Sequence, residues 1–200
     1  HREQKGHPEP LMCKECDSSF SDVEAYCRNL LGRWTRFNES TQFAELPLSV
    51  QVDFTKFKLF CLLLAWRSAL AEGPFYRGVV LPDVVRVALR RSLLSRQPGT
   101  PEFCPISLWV ESSGQPSQAF LSPVVKERTP PGSPYRVFCL AFEGFGGGLY
   151  MLLSSEPIPI HESADQYLQE DGVLPVHLRQ SPQNPRLSQL ARIVRDRKST

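Results

Sequence analysis

The amino-acid sequence predicts an α+β fold, with N-terminal helices packed on a small antiparallel β-sheet and a further helix at the C-terminal end. Two observations lead to this prediction. Apolar residues recur at helical spacing through the first half of the chain, whereas from Pro98 onwards short β-like runs alternate with turn residues. The links between those runs are short, and short links favour antiparallel neighbours.

Three helices are predicted before the sheet. The first covers residues 22–34 and begins with Ser21-Asp22-Val23-Glu24, a pattern typical of a capping box. The second covers residues 55–72 and is apolar on nearly every side, so we expect it to be central and buried. The third opens at Pro82, which suits the first helical position, and its predicted buried face consists of Leu81, Val84, Val85 and Ala88.

Strands are predicted over five short segments. The first lies around Val50 and Val52, and the others cover residues 106–110, 118–125, 135–142 and 149–154. Pro123 makes the segment 118–125 an edge strand or a bulged one, because proline cannot donate to the ladder. Gly144–Gly148 is interpreted as a hairpin turn and not as a phosphate-binding loop, since a β-like run and not a helix follows it.

The chain divides into three parts. Residues 1–34 form a flexible lead and a cysteine-containing helical annex, residues 35–160 form the α+β core domain, and residues 161–200 form a proline-rich tail. The tail ends in an amphipathic helix at about residues 185–197, for which Asn184 is the predicted cap and Pro185 the first helical residue. Its apolar stripe consists of Leu187, Leu190, Ala191 and Val194.

Length, charge and motifs exclude several classes of function. A chain of 200 residues with 41% hydrophobic and 22% charged residues suits one domain with a small annex. The net charge of +2 is too balanced for a nucleic-acid domain with a large basic surface, so a nucleic-acid partner is not expected. The longest apolar run, residues 59–66, is too short to cross a bilayer, which needs about 20 residues. No nucleophile–base signature accompanies His161 or His177, so the sequence predicts no enzyme.

One local pattern near the start resembles a known family. Cys13 and Cys16 are two residues apart and are followed by Phe20 and Tyr26 at the spacing of the Cys-Cys-His-His zinc finger. The similarity covers residues 13–33 only, and the two His positions of the family fall on Asn29 and Arg33.

This resemblance implies one structural zinc ion. Four N or S ligands are needed for such a site, and in this chain they would be His7, Cys13, Cys16 and Cys27. Three alternatives remain open. The CxxC pair is a redox pair, the cysteines form a disulfide with a third cysteine, or Cys27 is an ordinary buried residue of the helix stripe and no metal is bound.

The predicted function is non-enzymatic protein–protein interaction, as an adaptor or scaffold domain of a larger intracellular protein or complex in the cytoplasm or nucleus. Arginines off the buried face of the third helix and apolar residues of the terminal helix are the predicted partner-binding residues: Arg86, Arg90, Arg91, Leu187, Leu190 and Val194. Thr129 and Ser133 each precede a proline in a loop and are predicted phosphorylation sites.

The alternative is a secreted or lumenal, disulfide-bonded glycoprotein that acts as a ligand or a receptor ectodomain. Six cysteines and the glycosylation sequon at Asn38 are compatible with it. Three of the cysteines, Cys61, Cys104 and Cys139, stand singly in apolar segments, as buried free thiols do, and this favours the intracellular location.

Overall fold

The computed structural model describes residues 11–40, 49–111, 123–127, 135–142, 147–160 and 165–179. Its helices are α1 (Lys14–Ser18), α2 (Ser21–Ser40), α3 (Phe54–Leu70) and α4 (Asp83–Ser95). Its strands are β1 (Ser49–Gln51), β2 (Ile106–Glu111), β3 (Val124–Glu127), β4 (Arg136–Phe142), β5 (Gly147–Leu153) and β6 (Val173–Arg179). The predicted α+β class is confirmed.

The six strands form one sheet in the order β1-β6-β2-β5-β4-β3. Neighbouring strands are antiparallel except β2 and β6, which are parallel, with Trp109 opposite His177. The sheet is therefore mixed and not wholly antiparallel. Strand β6 is parallel to β2 and antiparallel to β5, so the long connection from β5 to β6 carries the chain to the other side of β2. Residues 124 and 125 of the segment predicted as an edge or bulged strand belong to β3, which lies at the edge of the sheet, and residues 118–122 lie outside the described part of the chain.

Strand β6 lies inside the sheet, although its residues were predicted to belong to the proline-rich tail. It pairs with β1 on one side and β2 on the other, so the sheet continues past the predicted boundary at residue 160. Pro175 concealed this strand, because a proline within a run argues against a central strand. The apolar alternation of Leu174, Val176 and Leu178 was the signal for it.

The helices cover one face of the sheet. Helices α2, α3 and α4 share a single buried cluster with side chains of β2, β4, β5 and β6, such as Leu108, Phe138, Met151 and Leu174. A smaller cluster, Leu152, Ile158 and Ile160, lies apart from this core and takes alternate residues of β4 and β5. None of the helices in the described part of the chain is both long and apolar enough to span a membrane.

Helix α3 is the centre of the core, as predicted. Asp53 caps its first turn, where its carboxylate accepts a hydrogen bond from the Lys56 amide at 2.9 Å. Buried side chains occur on most of its circumference: Phe57, Lys58, Leu59, Cys61, Leu62, Leu63, Ala65 and Ser68. Such a distribution is typical of a helix enclosed on all sides.

Helix α2 exists as predicted, but it ends at Ser40 and not at residue 34, and it begins differently. The expected capping box is absent, because Ser21 Oγ donates to the Ser18 carbonyl at 2.7 Å and the Glu24 carboxylate pairs with Arg67 of α3. The short helix α1 lies directly before α2, and the carbonyl of Phe20, between the two helices, accepts from the Glu24 amide at 2.9 Å. The backbone at the start of α2 thus has a partner in the residue before the helix, and the Glu24 side chain is available for its contact with α3.

The hairpin turn predicted over Gly144–Gly148 falls in part on residues 144–146, which lie outside the described part of the chain. Gly147 and Gly148 are the first residues of β5, and Gly148 lies opposite Trp109 of β2. A Cβ atom at Gly148 would lie 2.2 Å from the Leu140 carbonyl oxygen and 2.8 Å from the Trp109 ring. Glycine is required here because the neighbouring strand and the indole approach the backbone closely.

Candidate functional site

Helix α4 exposes an apolar surface, which we call the outer face of α4 and define by Val84, Val87, Arg90, Arg91 and Leu94. Residues three or four apart lie side by side on a helix, so the three apolar residues and Arg91 form one stripe. Val84 is 64% exposed, Val87 56% and Leu94 64%. The prediction that Val84 belongs to the buried face is therefore wrong.

The opposite face of α4 anchors the helix in the core. Val85, Leu89 and Leu93 are buried there and belong to the main cluster with α3. Two adjacent valines, Val84 and Val85, satisfy a helical pattern equally well, and only the packing decides which of them points inward. Helix α4 consequently carries apolar side chains on two sides, and the described part of the chain covers one of them.

Arginines border the outer face of α4. Arg90 and Arg91 are exposed, and within the described residues neither has a carboxylate at ion-pair distance. Arg86 lies one turn before Arg90 and pairs with Asp83 at 2.7 Å. The positive charge of Arg90 and Arg91 is therefore available to an external group. Val87, Arg90, Arg91, Leu94 and Ser95 line a shallow depression on this surface.

The C-terminal end of α4 is fixed to the α1–α2 junction. Arg96 adopts a left-handed backbone conformation with φ of 53°, which is unusual for a residue other than glycine. Its guanidinium donates to both carboxylate oxygens of Asp22 at 2.9 and 3.0 Å and to the Ser19 carbonyl, and lies 5.5 Å from the Phe20 ring centre. These contacts hold the outer face of α4 in a defined position relative to α1 and α2.

The predicted zinc ligands separate in the structure. Cys13 and Cys16 lie together at the start of α1, whereas Cys27 is fully buried in the core, where burial raises its pKa to about 12. Among the residues that the structure describes, no three His, Cys, Asp or Glu side chains are grouped so that they could hold a metal ion. His7 lies outside the described residues, so the four-ligand site stays a prediction.

Several other predicted residues also lie outside the described part of the chain. They are the terminal-helix residues Leu187, Leu190 and Val194, the modification sites Thr129 and Ser133, and His161. The backbone of Asn38 lies in the last turn of α2. His177 is exposed on β6, with Nε2 3.0 Å from the Gln166 carbonyl oxygen.

A buried lysine is the group that sequence reasoning missed. Lys58 of α3 is only 1% exposed, its ammonium donates to the Thr100 carbonyl, and its Nζ lies 5.2 Å from the Phe54 ring centre. Burial lowers the pKa of Lys58 to about 8. The signal in the sequence was its place between Phe57 and Leu59 in a helix already predicted to be enclosed. Lys58 ties α3 to the segment that precedes β2.

Searches against models of known families, curated proteins and solved structures each returned no match. Function is therefore inferred from the geometry of the described residues.

Proposed function

We propose that this chain is a non-enzymatic interaction domain of a larger protein or complex, and that the outer face of α4 binds an acidic amphipathic helix of a partner protein. The observation that supports it is an exposed apolar stripe bordered by Arg90 and Arg91 on a helix whose other side is anchored in the core. A preformed surface of this kind costs little ordering on binding.

The length of the stripe suits a short helix. Val84 to Leu94 spans about 15 Å at a rise of about 1.5 Å per residue, which is the length of three turns of a partner helix. Single exposed apolar residues are common on protein surfaces, but here Val84, Val87 and Leu94 share one face, and Val80 just before the helix is also 64% exposed. Grooves and faces of this type bind partner helices whose apolar side chains recur at helical spacing.

The charge of the surface specifies the charge of the partner. Arginine is enriched in interface cores and forms bidentate pairs with carboxylates, so glutamates beside the partner's apolar anchors fit Arg90 and Arg91. The predicted terminal helix of this chain is disfavoured as the occupant, since it carries Arg186, Arg192, Arg195 and Arg197, and like charges would meet. A nucleic acid is disfavoured because exposed apolar side chains, and not further cations, stand beside Arg90 and Arg91 on this face.

A pair of designed peptides tests this proposal. The first has leucines at i, i+3, i+4 and i+7 flanked by glutamates, and the second replaces each glutamate with lysine. We expect the acidic peptide to bind and to shift the backbone NMR signals of residues 84–94, and the basic peptide to bind at least about tenfold more weakly, a difference of ~1.4 kcal/mol. Equal binding of both peptides, or stronger binding of a single-stranded oligonucleotide, would contradict the proposal.

Charge reversal sharpens the test. The double variant Arg90→Glu and Arg91→Glu should lose the acidic peptide and gain the basic one, because the stripe is unchanged and only its border is inverted. Leu178→Asp is the matched control, since Leu178 is 51% exposed on β6 and lies outside the outer face of α4. The control should bind the acidic peptide as the unchanged protein does.

The proposed location is inside the cell. All six cysteines are free thiols in the structure, and four of them are buried. A disulfide-bonded secreted form would migrate differently on non-reducing and reducing gels, whereas we expect the protein from its native source to migrate equally on both.

A further inference from the structure

The cysteine pair at the start of α1 carries a second proposal, which rests on a different observation from that of the outer face of α4. We propose that Cys13 and Cys16 form a redox site, in which the two thiols exchange reversibly with a low-molecular-weight disulfide such as glutathione disulfide. The product is an intramolecular disulfide between the two residues. This site needs no metal and no partner protein.

The Cys13 sulfur lies against the backbone of Cys16. Cys13 stands before the first residue of α1 with extended backbone angles, and its Sγ accepts a hydrogen bond from the Cys16 amide at 3.4 Å. Residues three apart on one helix turn have their Cβ atoms about 5–6 Å apart. Closure to a sulfur–sulfur bond of about 2.05 Å therefore takes side-chain rotation and an adjustment of this turn.

Access separates this pair from the other four cysteines. Cys13 is exposed and Cys16 is half-buried, whereas Cys27, Cys61, Cys104 and Cys139 are buried. Because burial excludes an incoming disulfide and disfavours the thiolate that would attack it, a buried thiol is inert at neutral pH. Burial raises the pKa of Cys27 to about 12, that of Cys104 to about 11, and that of Cys61 well above its usual value. An oxidant in solution consequently meets the α1 pair first.

The charges around the pair are mixed. Glu15 lies between the two cysteines in sequence, and the Arg90 guanidinium of α4 lies close enough to act on the Cys16 sulfur. Cys13 is the more exposed of the two and is the residue that an incoming disulfide reaches first. Cys13 is thus assigned the first attack and Cys16 the second.

Each exchange step balances. The Cys13 sulfur attacks one sulfur of glutathione disulfide, a Cys13–glutathione bond forms, and the first glutathione leaves with the proton of the Cys13 thiol. The Cys16 sulfur then attacks the Cys13 sulfur, and the second glutathione leaves with the proton of the Cys16 thiol. The two protein thiols are oxidised by two electrons in total, and one glutathione disulfide is reduced to two glutathiones.

Titration of the purified full chain with mixtures of glutathione and glutathione disulfide tests the proposal. We expect the loss of two of the six thiols counted after denaturation, a decrease in mass by two hydrogens, and a Cys13–Cys16 bond in peptide mapping, all reversed by dithiothreitol. Loss of no thiol at high glutathione disulfide, or a bond that joins either residue to a buried cysteine, overturns the proposal. Exchange that begins only after a chelator removes zinc also overturns it.

Two variants and one control define the residues. Cys13→Ser and Cys16→Ser each leave one accessible thiol, so each should stop at a mixed disulfide with one glutathione. Neither residue lies in the core, so both variants should fold. Cys139→Ala removes a buried thiol of β4, and this control variant should form the Cys13–Cys16 disulfide as the unchanged protein does. If Cys13→Ser or Cys16→Ser still loses two thiols, the assignment of Cys13 and Cys16 as the reacting pair is wrong.

Discussion

Helices α3 and α4 pack against each other, yet their apolar side chains have different fates. Helix α3 is enclosed, and even its Lys58 is 1% exposed. Helix α4 buries Val85, Leu89 and Leu93 but leaves Leu94 64% exposed. An apolar residue of an enclosed helix contributes to stability whichever way it points, whereas on a helix at the surface of the layer the direction decides between the core and an interaction surface.

The largest expected effect is the loss of a core side chain in α3. Leu63 is 1% exposed, and Leu63→Ala should lower the free energy of unfolding by about 2–5 kcal/mol through lost burial and the cavity that remains. Leu94→Ala in α4 is the matched control and should change it by less than about 0.5 kcal/mol. Urea denaturation followed by circular dichroism measures both. Equal losses would remove the distinction between the two helices.

The second effect concerns the charge inside α3. The pKa of Lys58 is about 8 in the folded protein and near 10.4 in an unfolded chain, so between these values the unfolded state holds the extra proton and rising pH favours folding. The stability of the unchanged protein relative to Lys58→Met should therefore rise by about 3 kcal/mol from pH 7 to pH 10.5.

The buried cysteines act in the opposite direction in both proteins, and only the part of the Cys61 and Cys104 pKa shifts that comes from Lys58 differs between them. Raised pKa values of Cys27, Cys61 and Cys104 keep protons on the folded state, so stability falls as pH rises above the ordinary thiol value in both proteins. Chemical denaturation of both proteins at several pH values measures the difference. A difference that does not change with pH would mean that Lys58 is not a buried charge.

A smaller effect is expected at the end of α4. Arg96→Ala removes the contacts to Asp22, Ser19 and Phe20 but keeps a Cβ atom in the left-handed conformation. Arg96→Gly removes the same contacts and relieves the backbone, so we expect it to be more stable than Arg96→Ala by about 1 kcal/mol. Thermal unfolding of the pair measures this difference. A less stable glycine variant would contradict the left-handed geometry.

The smallest effect on stability should accompany the largest effect on binding. Val87→Asp places a carboxylate on the outer face of α4 and should change the free energy of unfolding by less than about 0.5 kcal/mol, because Val87 is 56% exposed. The same change should abolish binding of the acidic designed peptide, since it adds repulsion in the middle of the stripe. Denaturation and peptide titration of one sample give both values. A large loss of stability would show that Val87 belongs to the core.

Sequence patterns correctly predicted those helices and strands that depend mainly on residues nearby in the chain. The existence and approximate limits of α3 were predicted from the helix start and stop signals at its two ends. Strands β2, β4 and β5 were predicted from alternating apolar residues and from the turn residues between them. Tertiary contacts decided the rest. Strand β6 was missed because a proline inside a strand is tolerated only where the partner strand permits it, and here the partner of Pro175 is the short strand β1. The orientation of the adjacent residues Val84 and Val85 could not be predicted without the position of α3.

The candidate site was predicted in part. Arg90 and Arg91 were identified from their position off the buried face, but the apolar half of the outer face of α4 was missed, since exposure is a property of the assembled layer. The capping box failed for a similar reason, because Glu24 has a stronger partner in Arg67, which lies 43 residues away in sequence. The burial of Lys58 was missed, although its place between Phe57 and Leu59 in a helix predicted to be enclosed was a signal for it.

The position of β6 has a consequence for the order in which the chain folds. Strand β1 pairs only with β6 in the described sheet, and the Gln51 amide side chain meets the Asp171 carbonyl 120 residues later. A ribosome therefore delivers β1 early and its only ladder partner late. The helices and the strands from β2 to β5 are synthesised before β6, so the edge of the sheet that contains β1 cannot form until β6 has been synthesised. Closing so distant a contact is slow, and during that interval β2 presents an unpaired edge to other chains.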